Sequence, residues 1–266
     1  MGHNAIIFLL LKKLTLVDVK YLLRRVKNRM ETLATIKVSI VLCPIMTATE
    51  TLTKERIRQK ADELFMKLGI RNVSMDDIAN ALGMSKKTIY QYFTDKNDLV
   101  DAVVVKSLED MQHDCGQCFE HSRDAIHEIF LTMEQILEQF RNMTPVVLMD
   151  LEKLHNASYQ KFRDHKNKFL LQIIRNNIDR GIREGLYRED VNPDTISRFR
   201  LESIMIPFNM EIFPPNRYNL ADVTKEIIEH YVFGLATTKG HKLILKYKEE
   251  RTKAKHYETL PGSKAK

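Results

Sequence analysis

Apolar residues recur along most of this chain with the 3.6-residue period of a helix. No segment alternates with period two for long enough to make a strand. Ile57, Ala61, Leu64, Phe65 and Leu68 form one such stripe, with Thr53 expected to cap it and Gly69 to end it. Ser74 predicts a short helix, with Asp77 three residues on as the second half of a capping box. In it Ile78, Ala79 and Leu82 face inward and Gly83 is the stop. Ser85 predicts a third short helix, Lys86 to Tyr92, followed by a turn over 93–95. A longer helix is expected from about Lys96, with Leu99, Val100, Val103, Leu108 and Met111 on one face.

The remainder reads as helices only. Ser122 is expected to open a helix carrying Ile126, Ile129, Phe130, Met133, Ile136, Leu137 and Phe140. Thr144–Pro145 and Asn192–Pro193 read as N-cap and first-turn pairs. A long helix is expected from about Ser158 to Arg183. Pro207, Pro214 and Pro215 break the chain before a last helix from Asn219 to about Gly234.

Composition narrows the class. A length of 266 residues allows a sizeable core, and 9 Gly with 7 Pro argue against a loop-rich all-β chain. Three scattered Cys do not make a disulfide scaffold. No apolar run approaches the ~18–20 residues that span a bilayer. A cytoplasmic protein with no membrane partner is expected. The net charge of +7 is uneven. Residues 1–45 hold eight basic against two acidic residues, and 241–266 hold eight against three, whereas 46–109 balance and 110–240 are net acidic. The first 45 residues, with an apolar run ahead of a basic stretch, are expected to be an extension outside the native domain. Their composition also motivates a rival reading, a membrane-associated helical protein.

Ala79, Gly83 and Ile89 stand at relative positions 0, +4 and +10, the skeleton of a helix-turn-helix. The small Ala lets two helices cross closely, Gly takes a left-handed turn, and the Ile closes the small core. The second helix offers a polar face of Lys86, Lys87, Thr88, Tyr90, Gln91 and Tyr92, suited to a major groove. Lys can donate to guanine and Gln can pair with adenine.

The stretch VSMDDIANALGMSKKTIYQYFTDKNDLV, residues 73–100, resembles the DNA-binding domain of TetR/AcrR-type transcriptional regulators. RGIREGLYREDVNPD, residues 180–194, resembles a segment of that family's regulatory domain. The resemblance implies an all-α chain. Its parts are a three-helix helix-turn-helix domain over 46–97, a bridging helix over about 96–111, a helical ligand-binding and dimerisation domain over 98–240, and a basic tail over 241–266. It implies base contacts by Lys86, Lys87 and Gln91, and backbone contacts by Ser74, Thr88, Tyr90, Tyr92 and Lys96. It further implies a homodimer, a palindromic double-stranded operator, and release of a repressor by a small effector, expected here to be apolar.

Phe130, Met133, Phe140 and Met143 are the first candidates to line the effector pocket. Met149, Phe169, Phe199 and Met205 complete that set. The last helix carries a broad apolar surface of Ile227, Ile228, Tyr231, Val232 and Leu235, expected at the dimer interface. HDCGQCFEH, residues 113–121, suggests a redox or metal sensor as an alternative. On a continuous helix, however, Cys115, Cys118 and His121 spread too widely to hold one metal. No metal and no cofactor is expected. The motifs of common enzymes, such as a phosphate loop, GxSxG or HExxH, do not occur, so an enzyme is not expected.

Overall fold

The computed structural model describes the backbone of residues 32–259 and the side chains of residues 50–253. The chain divides into two compact units, residues 1–56 and 57–266. The second unit contains every element that bears on function below. Apart from an isolated bridge between Tyr187 and Ala236, regular structure among the described residues is helical.

The helices, in chain order, are α1 (Thr32–Leu68), α2 (Met75–Leu82), α3 (Lys86–Tyr90), α4 (Lys96–His121), α5 (Ala125–Phe140), α6 (Val146–Leu154) and α7 (Asn156–His165). One π-helical turn, Lys166–Leu170, joins α7 to α8 (Leu171–Arg183). Then follow α9 (Pro193–Ser203), a 3-10 turn at Ile206–Phe208, α10 (Leu220–Leu235) and α11 (Thr238–Thr259).

Two apolar cores organise residues 57–259. The first joins Ile57, Ala61 and Phe65 of α1 to Ile78, Ala79, Ile89, Phe93 and Leu99, and it takes in Val147 and Leu151 of α6. The second gathers Ile126, Phe130 and Met133 of α5, Ile178 of α8, Tyr187, and Ile228 to Leu235 of α10. Helix α4 runs unbroken between these regions. Its Leu99, Val100 and Val103 are buried in the first core, and Cys118 is buried near its far end.

Several element ends differ from the sequence reading. Thr53 is an interior residue of α1 rather than its cap, because nothing in residues 45–56 stops a helix. Asp124, not Ser122, caps α5. Its carboxylate accepts the N–H groups of Ile126 and His127 at 3.0 and 2.9 Å, while the Ser122 hydroxyl closes α4 on the Phe119 carbonyl oxygen. The expected continuous helix from Ser158 carries the π-helical turn. The segment expected as a basic tail begins inside α11, whose Ile244 and Tyr247 are buried in the second core. The expectation for residues 1–45 falls almost wholly outside the described side chains.

Candidate nucleic-acid interface

The helix-turn-helix is held by short-range bonds that the sequence dictates. The Ser74 hydroxyl accepts the Asp77 N–H at 3.2 Å, and the Asp77 carboxylate accepts the Ser74 N–H at 2.8 Å. The hydrogen bonds from Ser74 hold the Asp77 carboxyl below its usual range. Gly83 has φ +63°, and the following N–H of Met84 reaches back to the Ala79 carbonyl oxygen at 2.9 Å. No atom stands within 4 Å of a Cβ placed on Gly83, so the left-handed backbone alone requires glycine there. Ser85 caps α3 by accepting the Thr88 N–H at 3.1 Å. Ala79 and Ile89 are buried between the two helices.

These constraints turn one face of α3 to solvent. Lys86, Lys87, Tyr90 and Gln91 are all exposed. The Lys86 ammonium lies 2.9 Å from the Asp76 carboxylate, which raises its pKa. That pair is solvent-exposed and screened by water, so a phosphate or base edge can replace Asp76 at little cost. Among the described residues Lys87 has no ion-pair partner.

The other candidates are less free. The Ser74 hydroxyl serves the cap. Thr88 is half-buried, with its hydroxyl 2.8 Å from that of Ser85. Tyr92 is half-buried against the first core. Lys96 donates to the Ile70 carbonyl oxygen at 2.6 Å, and burial lowers its pKa. Its ammonium therefore braces the loop before α2. The sequence showed that Lys96 begins a helix, but not that Ile70 lies across from it.

The model of bacterial regulatory proteins of the tetR family matches residues 57–103, which span this whole unit. A helix-turn-helix-type transcriptional regulator of Staphylococcus aureus (strain USA300) is 26% identical over 164 residues, covering 60% of this chain and 80% of its own. Among solved structures, a TetR-family regulator from Agrobacterium tumefaciens shares the fold with a TM-score of 0.60 at 14% identity, covering 71% of this chain and all of its own. A TetR/AcrR-family regulator from Thermobifida fusca gives a TM-score of 0.52 at 19% identity, covering 68% and 96%.

Residues 57–103 thus match the TetR family, and the chain as a whole is similar to transcriptional regulators of that family. The relatives and structural neighbours that it matches are transcriptional regulators.

Beyond the helix-turn-helix, the chain holds a cavity of about 180 Å3 inside its helical second half. The walls come from α4 (Met111, Asp114, Cys115), α5 (Glu128 to Phe140), the π-helical turn and α8 (Leu170, Ile173, Ile174), α9 (Arg200, Ser203) and α10 (Thr224, Ile227, Tyr231).

Of the expected pocket residues, Met133 and Phe140 line this cavity. The other six do not. Phe130 packs against Tyr247, Met143 joins the first core, and Phe169 stacks on His165. Met149 and Met205 are half-buried away from the walls, and Phe199 is 55% exposed. Helical spacing identifies an inward face but not which of two inward directions a residue takes.

The expected interface residues are also placed differently. Ile228, Tyr231, Val232 and Leu235 are buried in the subunit's own core, and Ile227 lines the cavity. In the single chain these residues are interior, because α10 covers both α5 and the cavity. Its exposed stripe is instead Asp222, Glu226, His230 and Gly234.

Of the polar groups on the wall, Cys115 stood out in the sequence, whereas Glu128 and Arg200 did not. Glu128 pairs with Arg180 at 3.0 Å, and burial raises its pKa. Burial, with Cys118, Asp114 and Glu128 nearby, pushes the Cys115 thiol up to about 11. Cys118 donates to Gln135 Oε1 at 3.0 Å. No set of three or more metal-ligating side chains converges among the described residues. No helix among those residues is long and apolar enough to cross a membrane.

Proposed function

We propose that this chain is a cytoplasmic repressor that binds a palindromic operator as a homodimer and is released by a small effector in the cavity. The observation that carries this reading is the path of α4. One uninterrupted helix has Lys96 braced in the DNA-reading head and Met111, Asp114 and Cys115 on the cavity wall. At 1.5 Å per residue Lys96 and Met111, the first of these wall residues, are roughly 22 Å apart along a rigid rod. An occupant that shifts α4 against α5, α9 and α10 therefore tilts the head.

The junction is built for transmission. Asn97 of α4 meets His155 at 2.7 Å, and Asp101 meets Ser158 at 2.9 Å and Lys161 at 2.7 Å. In the proposed dimer, α9 and α10 of each copy pair across a two-fold axis. The exposed Phe199 of α9, Ile206 beyond it and the stripe through His230 and Gly234 supply the contact. Lys86, Lys87 and Gln91 read bases, while Tyr90 and the N-terminal end of the domain contact phosphates.

The test is sedimentation of the full chain with a duplex it prefers. The reading predicts two chains per palindromic duplex, and weaker binding when one half-site is scrambled. Binding of one chain per duplex, indifferent to the second half-site, would falsify the dimer.

A further inference from the structure

The cavity is mostly apolar, yet two of its polar side chains have no adequate partner. Arg200 is closely surrounded by protein, and burial lowers its pKa. Its guanidinium donates to the Ser203 hydroxyl at 3.0 Å and lies 5.4 Å from the centre of the Tyr231 ring. Among the described residues it has no carboxylate partner. The Tyr231 hydroxyl is buried with no hydrogen-bond partner, and Tyr231 is only 7% exposed. Both residues line the same cavity.

A half-buried guanidinium with no counter-ion and an orphan buried hydroxyl are each costly. A fold keeps such a pair side by side where something else completes it. Two donors facing one apolar chamber call for an acceptor that carries negative charge. The acids on the wall do not meet that need. Glu128 is already paired with Arg180, and Asp114 stands with it beside Cys115. Ile204, Pro207, Thr224, Ile227 and Ile228 of the same wall add no charge.

We propose that the cavity takes an amphipathic monocarboxylate, its apolar body against Met133, Ile136, Phe140 and Ile174 and its carboxylate between Arg200 and Tyr231. The proposal rests on reading this cavity as the effector site and adds the chemical class. The carboxylate accepts two hydrogen bonds from the guanidinium and one from the phenol, which gives the guanidinium a counter-ion and the hydroxyl a partner at once. A neutral alcohol of the same length fills the chamber but leaves the guanidinium unneutralised, and a quaternary ammonium meets a like charge.

The experiment is calorimetric titration of the full chain with octanoate, octanol, methyl octanoate and octyltrimethylammonium. Octanoate is expected to bind at least tenfold tighter than each of the others. Arg200→Gln should abolish that preference. Tyr231→Phe should weaken octanoate several-fold while leaving octanol unchanged. It should also leave the unliganded protein at least as heat-stable, because it deletes a group that has no partner. That guards against misfolding as the explanation.

Equal affinity for octanoate and octanol, or octanoate binding indifferent to both substitutions, overturns the carboxylate site while leaving the cavity a ligand site. Binding of none of the four overturns both. Arg200-dependent octanoate binding that leaves DNA affinity unchanged supports the site and removes the effector reading.

Discussion

Gly181 of α8 lies so close to Tyr187 that a Cβ on it would stand 2.0 Å from the ring's Cδ2. The ring is fully buried, and its hydroxyl donates toward Asn177 Oδ1 at 3.1 Å and the Ala125 carbonyl oxygen at 3.3 Å. Tyr187 thereby locks α8 to the start of α5, on the side of α8 that backs the cavity. Gly181→Ala must displace the ring and break these bonds. It should lower stability by about 1–3 kcal/mol in urea unfolding. Gly116→Ala is the matched control, since no atom stands within 4 Å of that added methyl. It sits inside α4 and should gain about 0.5–1 kcal/mol. Equal effects at the two sites would show that the close packing is not real.

The Asp150 carboxylate accepts the Arg71 N–H at 2.8 Å, tying α6 to the loop ahead of α2. Asp150 is buried, and the bond spans the head and the second half of the regulator. Asp150→Ala leaves that N–H without its partner and should cost about 1–3 kcal/mol. Hydrogen exchange is the sharper reading. The Arg71 amide should lose protection while amides in α10 keep theirs.

On the DNA-reading face the exposed and the braced residues should separate. Tyr90→Phe should weaken binding to all duplexes alike, and Gln91→Ala should relax preference at one position per half-site, by about 1–3 kcal/mol of discrimination. Lys87→Ala should relax preference at another position per half-site without changing the melting temperature. Lys96→Ala should instead lower the melting temperature, because its ammonium holds the Ile70 carbonyl oxygen. If Lys96→Ala weakens DNA binding with no loss of stability, its role is contact and not bracing.

What the sequence disclosed and what it hid follow from the range of the interactions involved. The head was legible because its determinants are local. Ser74 with Asp77, Gly83 and Ser85 act within four residues, so spacing alone reveals them. The exposed face of α3 followed directly. Phe130, Phe199 and Tyr231 were ambiguous because each satisfies a helical stripe whether it faces a neighbour, a cavity or a partner. Arg200 with Tyr231 and Lys96 with Ile70 are contacts across 31 and 26 residues, and no local pattern encodes them.

Acid should destabilise this regulator in a defined window. Burial lowers the pKa of His127, His155 and His165, with Arg123 adding to it at His127 and Lys96 at His155. A histidine whose folded pKa is depressed stabilises fully above its unfolded value of about 6.5, and that contribution is lost as the pH falls through and below it. Melting temperature should therefore hold steady from about pH 8 to 7 and decline toward pH 5.5. His165→Phe should flatten part of that decline, because His165 is buried against Phe169 with its Nε2 unpartnered among the described residues. A decline that begins only below about pH 4.5 would assign acid sensitivity to carboxylates instead.

The central claim is that this chain recognises a specific DNA sequence as a symmetric pair. Binding selection from random duplex DNA, with the full chain at fixed near-physiological salt, tests it most directly. The account predicts enrichment of a palindrome whose half-sites are centred about one helical turn, ~34–36 Å, apart. It also predicts loss of that enrichment in the Gln91→Ala, Lys87→Ala double variant. Retention of all duplexes alike, with no sequence enriched, would contradict it.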